Sequence, residues 1–170
     1  ASYEYFYLVG GIYTVIRTKS AVTVSEFGEK YILCAPIKEN SFTEVEPEIE
    51  PDIFASPLRS LKEKGLNVVY GRWLVSGHPR ILLFDLGSAH KFLDTWRWEF
   101  SKITGISFHK DDFELNGCLL FGYMVELFLY EFSKSHEHQI LVHCHEWLSG
   151  IAGILIRKHD RKMATIFTTH

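Results

Sequence analysis

Basic excess is missing from this 170-residue chain: 18 Lys and Arg stand against 21 Asp and Glu, for a formal charge of -3 and a pI near 6.3. Without a positive footprint a phosphate backbone has little to hold, which argues against nucleic acid as a partner. Cysteine is scarce too. Cys34, Cys118 and Cys144 are odd in number and widely spaced, which argues against a disulfide framework and suits reduced thiols in a cytoplasmic protein. No uninterrupted apolar run approaches the roughly 20 residues of a membrane span. The longest stretch, Cys118 to Phe132, is broken by Glu126 and Glu131 and reads as a buried helix, so no membrane is expected. Secretory signals, internal repeats and low-complexity tracts are not visible. The G-x-G-x-x-G fingerprint and the Walker lysine pattern are also lacking, which removes the two commonest sequence signs of a nucleotide-phosphate loop.

What is present is the composition of one ordinary globular domain. Hydrophobic residues make up 46% and charged residues 23%, so neither disorder nor a fibrous repeat is indicated, and a chain of this length can bury a real core. Short β-branched runs alternate with helical stretches, the pattern of a largely parallel sheet with helices on both faces. The strands expected are Tyr3 to Val9, Tyr31 to Ala35, Asn67 to Tyr70, Arg80 to Asp85, Gln139 to Val142 and Ala164 to Thr168. The helices expected are Ile12 to Ser20, Pro57 to Lys64 capped by Ser56, His90 to Lys102, Asp111 to Ser133 capped by Asp111, and Trp147 to His159. Lys38 to Asp52, with Pro47, Pro51 and five glutamates, reads as an exposed loop. Trp73, Trp96, Trp98, Phe121, Tyr123, Phe128 and Tyr130 are expected in the core, and Arg72 as a structural ion-pair partner. Residue 1 lies just before one expected strand and residue 170 finishes another, so the chain is expected to be a piece of a longer protein, cut at both ends.

Chemistry concentrates where strands end. Ile140, Leu141 and Val142 give way to His143, Cys144, His145, Glu146 and Trp147 before a helix, and in α/β sheets ligands bind outside the carboxyl ends of strands. Ala164 to Thr168 likewise runs into Thr169-His170, and Tyr3 to Val9 into Gly10-Gly11. Glycines there let backbone N–H groups approach an anion at a helix N-terminus, although a simple tight turn explains the pair equally well. His143 and His145 share a face of an extended strand, but with one carboxylate nearby they make a poor metal set, and no metal is expected. His143 reads as a hydrogen-bonded histidine beneath the sheet edge. His145, Glu146 and Trp147 offer a sugar an acceptor, a carboxylate and an apolar ring face. Cys144 points away from its histidine neighbours and reads as a buried structural thiol rather than a nucleophile. His170 reads equally as a core or chain-terminal histidine and as a ligand contact.

Five segments carry a resemblance: Val9-Gly10-Gly11-Ile12-Tyr13-Thr14-Val15, Tyr70-Gly71-Arg72-Trp73-Leu74, Leu120-Phe121-Gly122, His145-Glu146-Trp147-Leu148 with Gly150, and Ala164 to His170. In this order and spacing they resemble the N-terminal domain of eukaryotic glycogen synthases of the animal and fungal type, over nearly the whole chain. The resemblance implies residues 1–170 as the N-terminal Rossmann-like domain of a GT-B glycosyltransferase that moves glucose from UDP-glucose to the non-reducing end of an α-1,4-glucan with retention of configuration. UDP-glucose would be the donor substrate, with no cofactor. The partners implied are glycogen or another α-1,4-glucan, glycogenin, and further copies of the intact protein. Gly10, Gly11 and His170 would contact the donor, and His145, Glu146 and Trp147 would position sugar hydroxyls; no catalytic nucleophile is assigned. One departure stands out. The family carries an Asn-Lys pair before the glycines, the lysine reaching the donor phosphates, where this chain has Tyr7-Leu8. That substitution, with the donor-binding half and an arginine beyond residue 170 missing, points to the alternative of a non-catalytic fragment or relative that binds glucan or glycogenin.

Overall fold

The computed structural model describes residues 11–38, 41–107, 109–135 and 139–169. The expected strand Tyr3 to Val9, with Gly10 and His170, lies outside them.

The centre of the molecule is an apolar strand buried on both sides. Arg80–Phe84 (β4) sends Ile81 and Leu83 to one face and Leu82 and Phe84 to the other, all four at 0% exposure, which is why it reads as an unbroken hydrophobic run. Ile32–Pro36 (β1) lies parallel to it, Ile32 opposite Arg80 and Pro36 opposite Phe84. On its other edge runs Val68–Trp73 (β3), antiparallel, followed by Val45–Pro47 (β2), again antiparallel, giving the order β1-β4-β3-β2.

The expected largely parallel sheet is therefore corrected to a mixed one among the described residues. A short connection between β3 and β4 makes them a hairpin, turned by Gly77 at φ 92° and His78 at φ 42° and closed by the Trp73 N–H donating to the Pro79 carbonyl at 3.0 Å. So short a loop can only join antiparallel neighbours. Parallel pairing returns in a second, two-stranded sheet, where Leu141–His145 (β5) runs beside Ala164–Thr168 (β6).

Helices do cover both faces of the four-stranded sheet. Gly11–Phe27 (α1) lays Ile12, Tyr13 and Ile16 on Leu33, Ala35, Trp73, Ile81 and Leu83. It continues past the expected end at Ser20, and Ser20 and Thr23 turn their hydroxyls back onto the carbonyls of Ile16 and Lys19, so that these hydroxyls are satisfied within the helix. The opposite face receives Asp52–Glu63 (α3) and Phe113–Lys134 (α6), and against α6 pack Leu86–Ala89 (α4), Leu93–Thr104 (α5) and Glu146–Lys158 (α7), all sharing one core.

Several sequence expectations shift. The helix α3 begins at Asp52 rather than Pro57, since fully buried Phe54 anchors its first turn and Pro57 is carried inside it. The cap of α6 is Asp112, whose carboxylate accepts from the Leu115 N–H at 3.0 Å. The expected loop Lys38 to Asp52 contains a helical turn, Ser41–Glu44 (α2), and the strand β2, whose Val45 is buried in the core. Trp98 is 63% exposed, not core, because two residues along a helix from buried Trp96 is the far side.

By length and composition alone α6 is long and apolar enough to cross a membrane. Eleven of its residues are instead buried against the other helices and the sheet. They include Glu126, which accepts from Arg161 Nε at 2.6 Å and faces His159 Nδ1 at 3.2 Å. This is the partnered state a buried carboxylate requires.

Candidate functional site

Three elements converge at the carboxyl end of β5. The strand does not stop at Val142 as expected but continues through His145, in register with β6 so that His143 faces Ile166 and His145 faces Thr168. Strand alternation then sorts the polar run. The rings of His143 and His145 sit side by side, centroids 4.0 Å apart. Cys144 points the other way, its Sγ only 3.3 Å from where a Cβ on Gly153 of α7 would lie. Burial raises the Cys144 thiol pKa above its ordinary value, as a structural thiol requires and a nucleophile does not.

The two histidines differ from their expected surroundings. His143 is exposed, and its Nε2 meets Thr168 Oγ1 at 2.8 Å. His145 is the buried one, 6% exposed, with Nε2 3.0 Å from Lys19 Nζ of α1. Burial lowers the Lys19 pKa.

At Glu146 the chain turns from strand into helix with φ of 60°, the left-handed region where a side chain other than glycine or asparagine is strained. Among the described residues the other two of this kind, His78 in the hairpin and Asp160 just past the end of α7, occupy turns. Glu146 is the one at a strand-to-helix corner. Strain of this kind persists where surrounding structure over-determines it, and it clusters at functional sites. Ser149 helps to hold it, donating to the His145 carbonyl at 2.6 Å and the Glu146 carbonyl at 3.2 Å. Beside the half-buried Glu146, Trp147 exposes 48% of its surface.

Of the sequence-predicted site residues, then, the structure brings together His145, Glu146 and Trp147, beside Thr168 two positions before His170. Gly11 is the exposed first residue of α1, eight residues and about 12 Å of helix from Lys19. Lys19 itself escaped the sequence reading. A signal existed: it follows Ile12 by seven and Ile16 by three, on the stripe of α1 that faces inward. Among the described residues no group of three or more His, Cys, Asp or Glu has metal-binding geometry.

Comparison with known proteins decides the family. The glycogen synthase family model matches residues 1–170. This chain belongs to the glycogen synthase family. It is 42% identical to glycogen (starch) synthase isoform 1 of Saccharomyces cerevisiae over 95% of its own length, 37% identical to the Neurospora crassa glycogen (starch) synthase over 98%, and 38% identical to the liver glycogen (starch) synthase of Rattus norvegicus over 99%. In each case it spans about a quarter of the relative's length, 24%.

Within this member of the family the signature segments divide by role. Tyr70-Gly71-Arg72-Trp73 is packing: Tyr70 and Trp73 fill opposite cores, and a Cβ on Gly71 would fall 2.4 Å from the Glu46 carbonyl of β2. Arg72, as expected, is an ion-pair partner. It forks onto Glu29 with bonds of 3.0 and 2.8 Å and reaches Glu48 at 3.3 Å. Gly122 lets α6 and α7 touch, since a Cβ there would lie 2.5 Å from Ile151 Cγ2. The corner at Glu146 is different: a left-handed glutamate stands there beside a Trp147 that is 48% exposed.

Proposed function

We propose that this chain is the N-terminal Rossmann-like part of a GT-B glycogen synthase that transfers glucose from UDP-glucose to the non-reducing end of an α-1,4-glucan with retention of configuration. The observation that carries the reading is the strained Glu146 corner at the carboxyl end of a parallel strand pair, in a chain of the glycogen synthase family. Retaining transfer of this kind runs through an oxocarbenium-like state in which the leaving phosphate helps to deprotonate the acceptor. The chain then contributes geometry and electrostatics, with no nucleophile of its own. Glu146 accepts hydrogen bonds from sugar hydroxyls, the open ring of Trp147 offers an apolar face to a pyranose, and buried His145 supports both from beneath. Gly10, Gly11 and His170 complete the donor side of the crevice, and the diphosphate is held largely by the second domain.

Glycogen and glycogenin are the proposed partners, the intact protein is a homo-oligomer, and its place is the cytoplasm. Leu8 favours a second reading, a relative that binds glucan without transferring glucose. Loss of a charge-assisted contact of about 1.5 to 3 kcal/mol weakens donor or transition-state binding by roughly ten- to a hundredfold. Radiolabelled UDP-glucose separates the two. Transfer to glycogen is expected from the intact protein, rising when Leu8→Lys restores the cation, and not from the 170-residue chain alone. An intact protein that binds glycogen yet transfers nothing, with or without the lysine, would establish the second reading.

A further inference from the structure

Lys19 and His145 are 126 positions apart in the chain, yet Nζ and Nε2 meet at 3.0 Å. An ammonium has three donors and no acceptor, so the imidazole must present Nε2 as a lone pair and carry its proton on Nδ1. The ring is buried and lies against that of His143, itself tied to Thr168 of β6. His145 is also the residue from which α7 starts, its carbonyl taken by Ser149, and the next residue is the left-handed Glu146. Whatever orients His145 therefore orients the corner. One group that contacts it, Lys19, sits on α1, the helix that begins at Gly11.

We propose that Lys19 is a positioning residue: its ammonium locks His145 as an Nε2 acceptor and so holds the Glu146 and Trp147 corner in register with α1 for glucosyl transfer. The proposal rests on the functional reading of that corner. A merely space-filling lysine would act through its alkyl stem and exert no pull on the tautomer of His145. A locking lysine needs the charge.

Long-range 1H–15N correlation spectra of the histidine rings in the 170-residue chain test the lock without any variant. The expected result is a neutral His145 protonated at Nδ1; a ring protonated at Nε2 overturns the proposal. Lys19→Met should release the tautomer, and Lys19→Arg, which keeps the cation, should preserve it. In the intact protein K19M is expected to lower kcat/KM by about tenfold or more, as small misplacements of a reacting geometry do, with most of the loss recovered in K19R. An unchanged kcat/KM in K19M of an active enzyme, or a tautomer indifferent to K19M, would refute the positioning role. If the unaltered intact protein transfers no glucose, the functional reading fails by itself, and the tautomer still decides whether the lock exists.

Discussion

Replacing Glu146 by alanine and by glycine should reverse the usual order of stability. In a helix with ordinary dihedrals alanine is the more stable of the two by about 1 kcal/mol, because glycine loses more backbone freedom on folding. At φ of 60° the balance changes. An L-residue in the left-handed region costs about 1–2 kcal/mol that glycine avoids, and this exceeds the roughly 0.4–1 kcal/mol that glycine forfeits through the unfolded chain. Both variants lack the carboxylate, so its contacts cancel in the comparison. The glycine variant is expected to be the more stable by about 1 kcal/mol, which for a chain of this size is a difference of about 2–4 °C in Tm. Thermal melts followed by circular dichroism measure it. The same pair at Ile154, on the outer side of α7, serves as control and should show alanine ahead. If alanine also wins at position 146, the corner is not held left-handed, and strain gives no reason to single it out.

Gly122→Ala should destabilise the chain by about 1–3 kcal/mol, read as a lower Tm, because its Cβ would meet Ile151 and the backbone N of Ala152 at 3.0 Å or less. Acid should expose the Glu29 network. Hydrogen bonding to Arg72, with Arg80 adding to it, depresses the folded pKa of Glu29, so its stabilisation is present above the ordinary glutamate pKa and is lost as pH falls through the folded one. Glu29→Gln should thus cost about 1 kcal/mol at pH 7, less in high salt, and almost nothing at low pH in urea melts. Burial raises the Cys144 pKa and pushes that of Cys34 up to about 11, so both stay protonated at pH 8. Iodoacetamide should label them slowly in the native chain and rapidly in denaturant, and fast native labelling of Cys144 would revive the thiolate reading.

Elements built from continuous apolar runs could be read directly. The strand Ala164–Thr168 has the expected bounds, β4 ends one residue short of expectation, and α7 is shifted by one residue at each end. Elements that depend on distant partners could not. Strand direction is not encoded in periodicity, so the antiparallel place of β3 followed only from the turn at Gly77 and His78. Three-residue β2 is too short to show alternation, and its pairing relies on the missing side chain of Gly71. The candidate site divided in the same way. Its chemistry stood out because His143, Cys144, His145 and Glu146 interrupt an apolar run, but that interruption concealed that the strand continues beneath them. That His145 is the buried one, in contact with Lys19 of another element, was not legible in the local run.

The claim on which the rest depends is that the Glu146 corner lines a crevice for glucose transfer. Steady-state transfer from UDP-glucose to glycogen by the intact protein, compared with its Glu146→Gln variant, tests it most directly. The substitution keeps the shape and the backbone strain while removing the charge. A fall in kcat/KM of about a hundredfold at unchanged Tm is expected, since charge-assisted hydrogen bonds to a sugar are worth about 1.5–3 kcal/mol. Kinetics equal to the unaltered protein's would contradict the claim and leave the corner a structural feature alone.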